Sequence, residues 1–139
     1  MHINKQKSYE ISNFKFHYEL NTRWKDMDVF GHVNNAVILT YIEDARINLF
    51  KRWNLKIQKK ALILASVKID YLHQITHPSN LIVGQRIYRI GNKSIDIESA
   101  LFKKGEKSPL ALSTIVCVCF DFESNKSVSV YSKIIADYK

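Results

Sequence analysis

The eighteen residues from Ala36 to Trp53 contain neither glycine nor proline, and they decide most of what this chain can fold into. Val37, Tyr41, Ala45 and Leu49 recur every four residues, and Ile38, Ile42 and Phe50 widen that face. Thr40, Glu43, Asp44 and Lys51 are spread over the remainder. This is the period of an α-helix, about 27 Å long at ~1.5 Å per residue. A helix with so much apolar surface is mostly buried and must be covered by other elements.

The covering elements read as strands. Phe14-Lys15-Phe16-His17-Tyr18-Glu19-Leu20 alternates apolar and polar, the period of a half-buried strand, and the pattern predicts an extension to about Lys25. After the helix, Leu62 to Leu72, Asn80 to Ile90, Ser94 to Lys103 and Pro109 to Phe122 all read as strands. In the last of these, Leu110, Leu112, Thr114, Val116, Val118 and Phe120 alternate with Ala111, Ser113, Ile115, Cys117 and Cys119. Gly91-Asn92 and Lys104-Gly105-Glu106-Lys107 mark hairpin turns. One strand, one long helix and four antiparallel strands make an α+β domain with a sheet curved around the helix. No linker, repeat or low-complexity tract divides residues 1–139, so one domain is expected, with a loose segment over the first ten residues. A single sheet layer leaves its other face open, and association with further copies is the expected remedy.

Composition sets outer bounds. An apolar content of 46% and an aromatic content of 12% exclude disorder. No stretch approaches the ~20 apolar residues of a membrane span. The start, MHINKQKSYEISNF, lacks the apolar core of a signal peptide, so a cytoplasmic location is expected. The formal charge of +8 comes from dispersed lysines with no nucleic-acid motif beside them, and by itself it selects no partner. Cys117 and Cys119 share one strand face about 6.6 Å apart, too extended for an easy mutual disulfide. Nearby ligands for a zinc site are absent from the sequence, so both read as buried structural thiols.

Chemistry concentrates in RWKDMDVFGHVNNAVILTYIEDAR, from Arg23 to Arg46. Two acids, Asp26 and Asp28, precede a Gly31-His32 turn, the Asn34-Asn35 pair and the helix. That order puts a carboxylate just outside a helix N-terminus, where unpaired N–H groups and the helix dipole attract negative charge. A carboxylate beside an N–H cluster can polarise a carbonyl and attack it. Asp28 also fits a turn or capping residue, and Asn34 or Asn35 an ordinary N-cap. His32 fits a structural role as well as a catalytic one. Asp26 reads as a strand-end residue facing solvent, Glu43 and Arg46 as a structural pair three residues apart, and His73 and His77 receive no role.

The run RWKDMDVFGHVNN, followed by a helix bearing Tyr41, Glu43 and Arg46, resembles the hotdog-fold acyl-CoA thioesterases of the 4-hydroxybenzoyl-CoA thioesterase type. LILASVKIDYL, RIYRIGNKSIDIESALF and STIVCVCFDFESNKSVSV follow in the family's order, so the resemblance covers about Phe14 to Val130. It implies a five-stranded antiparallel sheet wrapped around one long central helix, in a homodimer or homotetramer. It implies hydrolysis of an acyl-CoA thioester to a carboxylic acid and free CoA, with Asp28 as nucleophile or general base. The Asn35 amide would hold the thioester oxygen and His32 would assist or orient. Gly31, Val33 and Asn34 would line the substrate. Arg89, Lys93 and Ser94 would meet the nucleotide near the Gly91 turn, amid the basic residues Arg86, Lys103 and Lys104. No metal and no cofactor beyond the CoA of the substrate is implied.

Plant-type acyl-carrier-protein thioesterases carry a similar Asp-Leu-Asp-Val-Asn-Gln-His-Val-Asn-Asn string, in which the Asn and the His belong to the active site. This chain keeps the His as His32 but has Phe30 in place of that Asn, which tilts the reading from an acyl carrier protein towards CoA. A non-catalytic acyl-CoA-binding module is the other alternative, and the His-containing signatures of hotdog dehydratases do not occur. Ile38 stands where relatives often carry Tyr, either reshaping the acyl pocket or swapping neutrally in the core. The acyl group itself is not specified.

Overall fold

The long helix, α1, spans Asn35–Arg52, one residue earlier at each end than its periodicity predicts. Asn34 is its N-cap: the side-chain oxygen accepts from the Ala36 amide at 2.9 Å. Lys51 and Arg52 in the last turn complement the helix dipole. The computed structural model describes residues 9–55 and 59–138. The loose first ten residues expected from the sequence lie outside this range, apart from Tyr9 and Glu10.

Five strands curl around α1. They are β1 (Phe16–Asn21), β2 (Lys60–Tyr71), β3 (Asn80–Ile90), β4 (Ser94–Lys103) and β5 (Ala111–Asp121). All pairings are antiparallel, in the order β1-β3-β4-β5-β2, and a two-residue β6 (Lys126–Ser127) pairs with the end of β5. This is the hotdog fold. The period of two sorts the faces: Leu81 and Val83 of β3, Ile97 and Leu101 of β4, and Ala111 and Ile115 of β5 are buried with Ile38, Tyr41, Ile42, Ala45 and Leu49 of α1. Each buried Leu, Ile or Val among them contributes roughly 1.5–3 kcal/mol. Cys117 and Cys119 are free and buried on the same face. Burial pushes the Cys117 thiol up to about 11 and raises Cys119 as well, which leaves both unreactive.

Three expectations need correction. β1 stops at Asn21 and does not run to Lys25. Thr22 diverts the chain: its amide donates to Ser79 O at 3.0 Å and its hydroxyl accepts from the Ser79 amide at 2.9 Å. The next residues form a 3-10 turn, Trp24–Asp26. Second, the outer sheet face is not wholly open. Phe14, buried with Ala100, Phe102 and Leu112, crosses it at Gly84, where an added Cβ would lie 2.8 Å from Phe14. Third, a short helix α2 (Ser132–Tyr138) closes one end of the barrel without any sequence pattern to announce it. It is held from outside itself. Ile134 is fully buried, and Asp137 accepts from Arg52 at 2.9 and 3.0 Å and from the Trp53 indole at 2.6 Å.

Among the described residues, no helix is long and apolar enough to cross a membrane. The hydrogen bonds from Arg52 hold the Asp137 carboxyl down at about 2. A depressed carboxylate stabilises the fold above its ordinary value near ~3.9, and that contribution fades as pH falls towards the folded value. Asp137→Asn should therefore lower the urea midpoint at neutral pH, with the difference from wild type shrinking below about pH 4 and vanishing near pH 2. Urea titrations across that range check this.

Candidate active site

The segment between β1 and α1 folds as a knot of short-range hydrogen bonds. The Asp28 amide donates to His32 O at 2.7 Å, and Met27 bridges to Val33. The reversal needs a left-handed residue, and Gly31 supplies it at φ +82°. Oδ1 of Asp28 accepts from the Phe30 amide at 2.8 Å and the His32 amide at 3.2 Å. The capping role that the sequence allowed for Asp28 is thus real, and it occupies one oxygen. No described hydrogen bond engages Oδ2.

The helix start is nearly saturated. The Asn34 amide donates to Asp26 O, Ala36 to Asn34 Oδ1, and Val37 and Ile38 to Asn34 O. Among the described hydrogen bonds the Asn35 amide alone in this turn finds no partner, as its place at the first helical position allows. Asp28, His32, Val33, Asn34, Asn35 and Ile38 line one cleft of about 400 Å³ with residues 71–75. His32 is among the lining residues, and its Nδ1 is buried with no hydrogen-bond partner among the described residues. Asp28, with Oδ2 unengaged, and Asn35, with its free helix amide, therefore share one cleft with the His32 ring. A wider cleft of about 510 Å³ between β1 and α1 is lined by Lys15, His17, Lys51 and Arg52, but its lining holds no carboxylate.

The family model of the thioesterase-like superfamily matches residues 22–136, a span that includes this cleft, α1 and the four strands β2 to β5 and begins just after β1. The chain belongs to the thioesterase-like superfamily. Among relatives of this superfamily protein, YsmA of Bacillus subtilis (strain 168) is 30% identical over 120 residues, 85% of this chain and 81% of that protein. The crystal structure of the PA5185 protein from Pseudomonas aeruginosa strain PAO1 superposes with a TM-score of 0.86 at 27% identity, covering 95% of this chain and 94% of that one. A Thermus thermophilus thioesterase complexed with coenzyme A and Zn gives a TM-score of 0.77 at 29% identity, covering 91% and 98%.

The other residues singled out in the sequence lie elsewhere in this thioesterase-like protein. Lys93 O accepts from the Cys119 amide, whereas Tyr71 of the cleft pairs with Ala111. Eight residues of β5 separate these levels, about 26 Å at ~3.3 Å per residue. Arg89 is engaged by Asp96 at 3.1 and 3.2 Å, which raises its pKa. Arg86 pairs with Glu98 and Lys104 with Glu19. Lys93 lines a separate cavity of about 550 Å³ with Lys60, Ser127 and Tyr131. Ser94 opens β4 at the same hairpin. Phe30 is exposed, so only its amide serves the cleft. Ile38 is both core and cleft wall.

The cleft wall formed by residues 71–75 escaped the sequence reading. Tyr71 donates to Asn35 O at 3.1 Å, and His73 lines the cleft from the chain after β2. The register of β2 brings them there, and nothing local marks it. Asp26 is the larger correction. It does not face solvent but is 1% exposed, accepting from Tyr41 Oη at 2.5 Å and from the Arg23 amide at 2.9 Å. Burial pushes its carboxyl up, but the Tyr41 and Arg23 donors outweigh that and hold it below its ordinary value. Burial, and then Asp26, push the Tyr41 phenol upward. Tyr41→Phe should cost ~1–3 kcal/mol at neutral pH by stripping a donor from a buried carboxylate. The cost should shrink once Asp26 protonates, below the usual carboxylate range; denaturant titrations at pH 7 and pH 3 measure both.

Proposed function

We propose that this protein hydrolyses acyl-CoA thioesters to a carboxylic acid and free CoA. The observation that carries the proposal is the pairing of an uncommitted Asp28 oxygen with the unpartnered Asn35 amide in one cleft. The Asn35 N–H donates to the thioester oxygen and stabilises the negative charge developing there, a contribution typically worth ~2.7–4 kcal/mol. Asp28 Oδ2 attacks the carbonyl carbon or draws a proton from water, and the thiolate leaves readily. His32, which lines the cleft beside them, orients the water or the acyl group. Val33 and Asn34 form the wall on which the thioester rests, and Gly31, outside the cleft lining, sets the turn that brings them there. Coenzyme A in the Thermus thermophilus relative supports CoA as the carrier. The RWKDMDVFGHVNN string supports the 4-hydroxybenzoyl-CoA thioesterase type within the superfamily.

The proposal extends to a homodimer. β2 is a free edge of twelve residues with Ile63, Leu64 and Val67 exposed, beside Leu39 and Ile47 on α1. A long apolar edge is ordinarily covered, and a second β2 fits it. In the dimer the phosphate contacts at a given Asp28 come from Arg89, Lys93 and Ser94 of the partner chain, because the hairpin of the same chain lies the length of β5 away.

Asp28→Asn keeps the oxygen that accepts from Phe30 and His32, so the turn should persist. Thiol release from acyl-CoAs should fall ~10²-fold or more, with affinity for a thioether analogue retained; near-normal hydrolysis would remove Asp28 from the reaction. Leu64→Lys should convert dimer to monomer in sedimentation, and an unchanged dimer would place the interface elsewhere.

A further inference from the structure

Beneath α1 a row of polar side chains crosses the inner face of the sheet, among mostly apolar neighbours. Gln85 pairs with Ser99, and Ser99 with Ser113, on β3, β4 and β5. The three are 2%, 0% and 3% exposed. Burying hydroxyls and amides is costly unless each finds a partner. Gln85 Nε2 donates to Ser99 Oγ at 2.9 Å and approaches Ile42 O at 3.5 Å. Ser113 Oγ, at the end of the row, has no partner among the described residues.

Ser113 lines a slot of about 200 Å³ between α1 and β2, walled by Leu39, Ile42, Leu64, Val67 and Ile115, with Glu43 and Arg46 at its rim. The slot lies in line with the Asp28 cleft. Asn35, Leu39, Ile42 and Arg46 follow at intervals of four, three and four residues and so share one stripe of the helix. Ser113 is two residues along β5 from Ala111, which pairs with Tyr71 of the cleft. An acyl chain whose carbonyl rests on the Asn35 amide would therefore run into the slot. It would reach Ser113 after roughly 7–12 Å, on the order of six to ten carbons. Arg46 also lines the slot, but Glu43 lies 3.4 Å from its guanidinium and balances its charge. The slot is thus apolar, close to neutral, and ends on one unsatisfied hydroxyl.

We propose that the slot selects medium-chain acyl groups carrying a neutral oxygen, a hydroxyl or keto group, near the distal end, and that Ser113 is the residue that reads it. This rests on the acyl-CoA reading above and narrows it to a substrate class. A matched plain chain leaves the buried hydroxyl unpaired, whereas the oxygenated chain satisfies it.

The test uses hexyl, octyl and decyl thioethers of CoA, each with and without a terminal hydroxyl. Calorimetry gives their affinities for the full-length protein, and kcat/KM is measured for the matching thioesters. At one chain length the hydroxylated ligand should bind roughly 3- to 10-fold tighter, and Ser113→Ala should abolish or invert that ratio while Ser113→Thr keeps it. Equal affinities at all three lengths, or a ratio unmoved in Ser113→Ala, would overturn the assignment. So would a Ser113→Ala variant that only weakens the dimer, since the hydroxyl would then serve the subunit interface. Thioethers binding with the predicted ratio while no thioester is hydrolysed would uphold the slot and remove the catalytic proposal. Hydrolysis without preference would do the reverse.

Discussion

The buried carboxylate of Asp26 holds together the parts on which the site depends. Its oxygens take hydrogen bonds from Tyr41 on α1 and from the amide of Arg23, while its backbone carbonyl takes the amide of Asn34. One residue therefore fixes the helix, the turn before it and the N-cap in a common frame. A buried charge left without those donors would cost far more than the cluster contributes when complete. Asp28 and Asn35 sit on either side of this frame, which is why one oxygen and one amide can remain uncommitted without the loop losing its shape.

Most of the fold is legible in the sequence because it rests on periodicity. The apolar repeat of α1 and the alternation in β3, β4 and β5 place those elements to within a residue or two, and β3 and β4 fall on their predicted bounds. The parts that were not legible depend on contacts far along the chain. β1 stops where Thr22 meets Ser79, α2 is held by Arg52 and Trp53, and the outer face is covered by Phe14 over Gly84. No local pattern encodes such meetings.

The site divides the same way. Gly31, His32, Asn34 and Asn35 are close neighbours in sequence, and the turn that holds them is built from short-range bonds. Asp26 shows the limit of the reading: an acid at a strand end ordinarily faces water, and only the position of Tyr41 fifteen residues later explains its burial. Tyr71 and His73 enter the cleft through the register of β2 against β5. The basic residues around Gly91 look like an anion site in sequence, yet Arg86 and Arg89 already face carboxylates across the hairpin.

The central claim is that the reacting carbonyl sits between Asp28 and the amide of Asn35. A crystal structure with a non-hydrolysable ketone analogue of an acyl-CoA tests it directly. The ketone oxygen should lie within hydrogen-bond distance of the Asn35 amide, with the carbonyl carbon against Asp28 Oδ2. An analogue seated in the cleft between β1 and α1, or with its carbonyl turned away from Asn35, would contradict it.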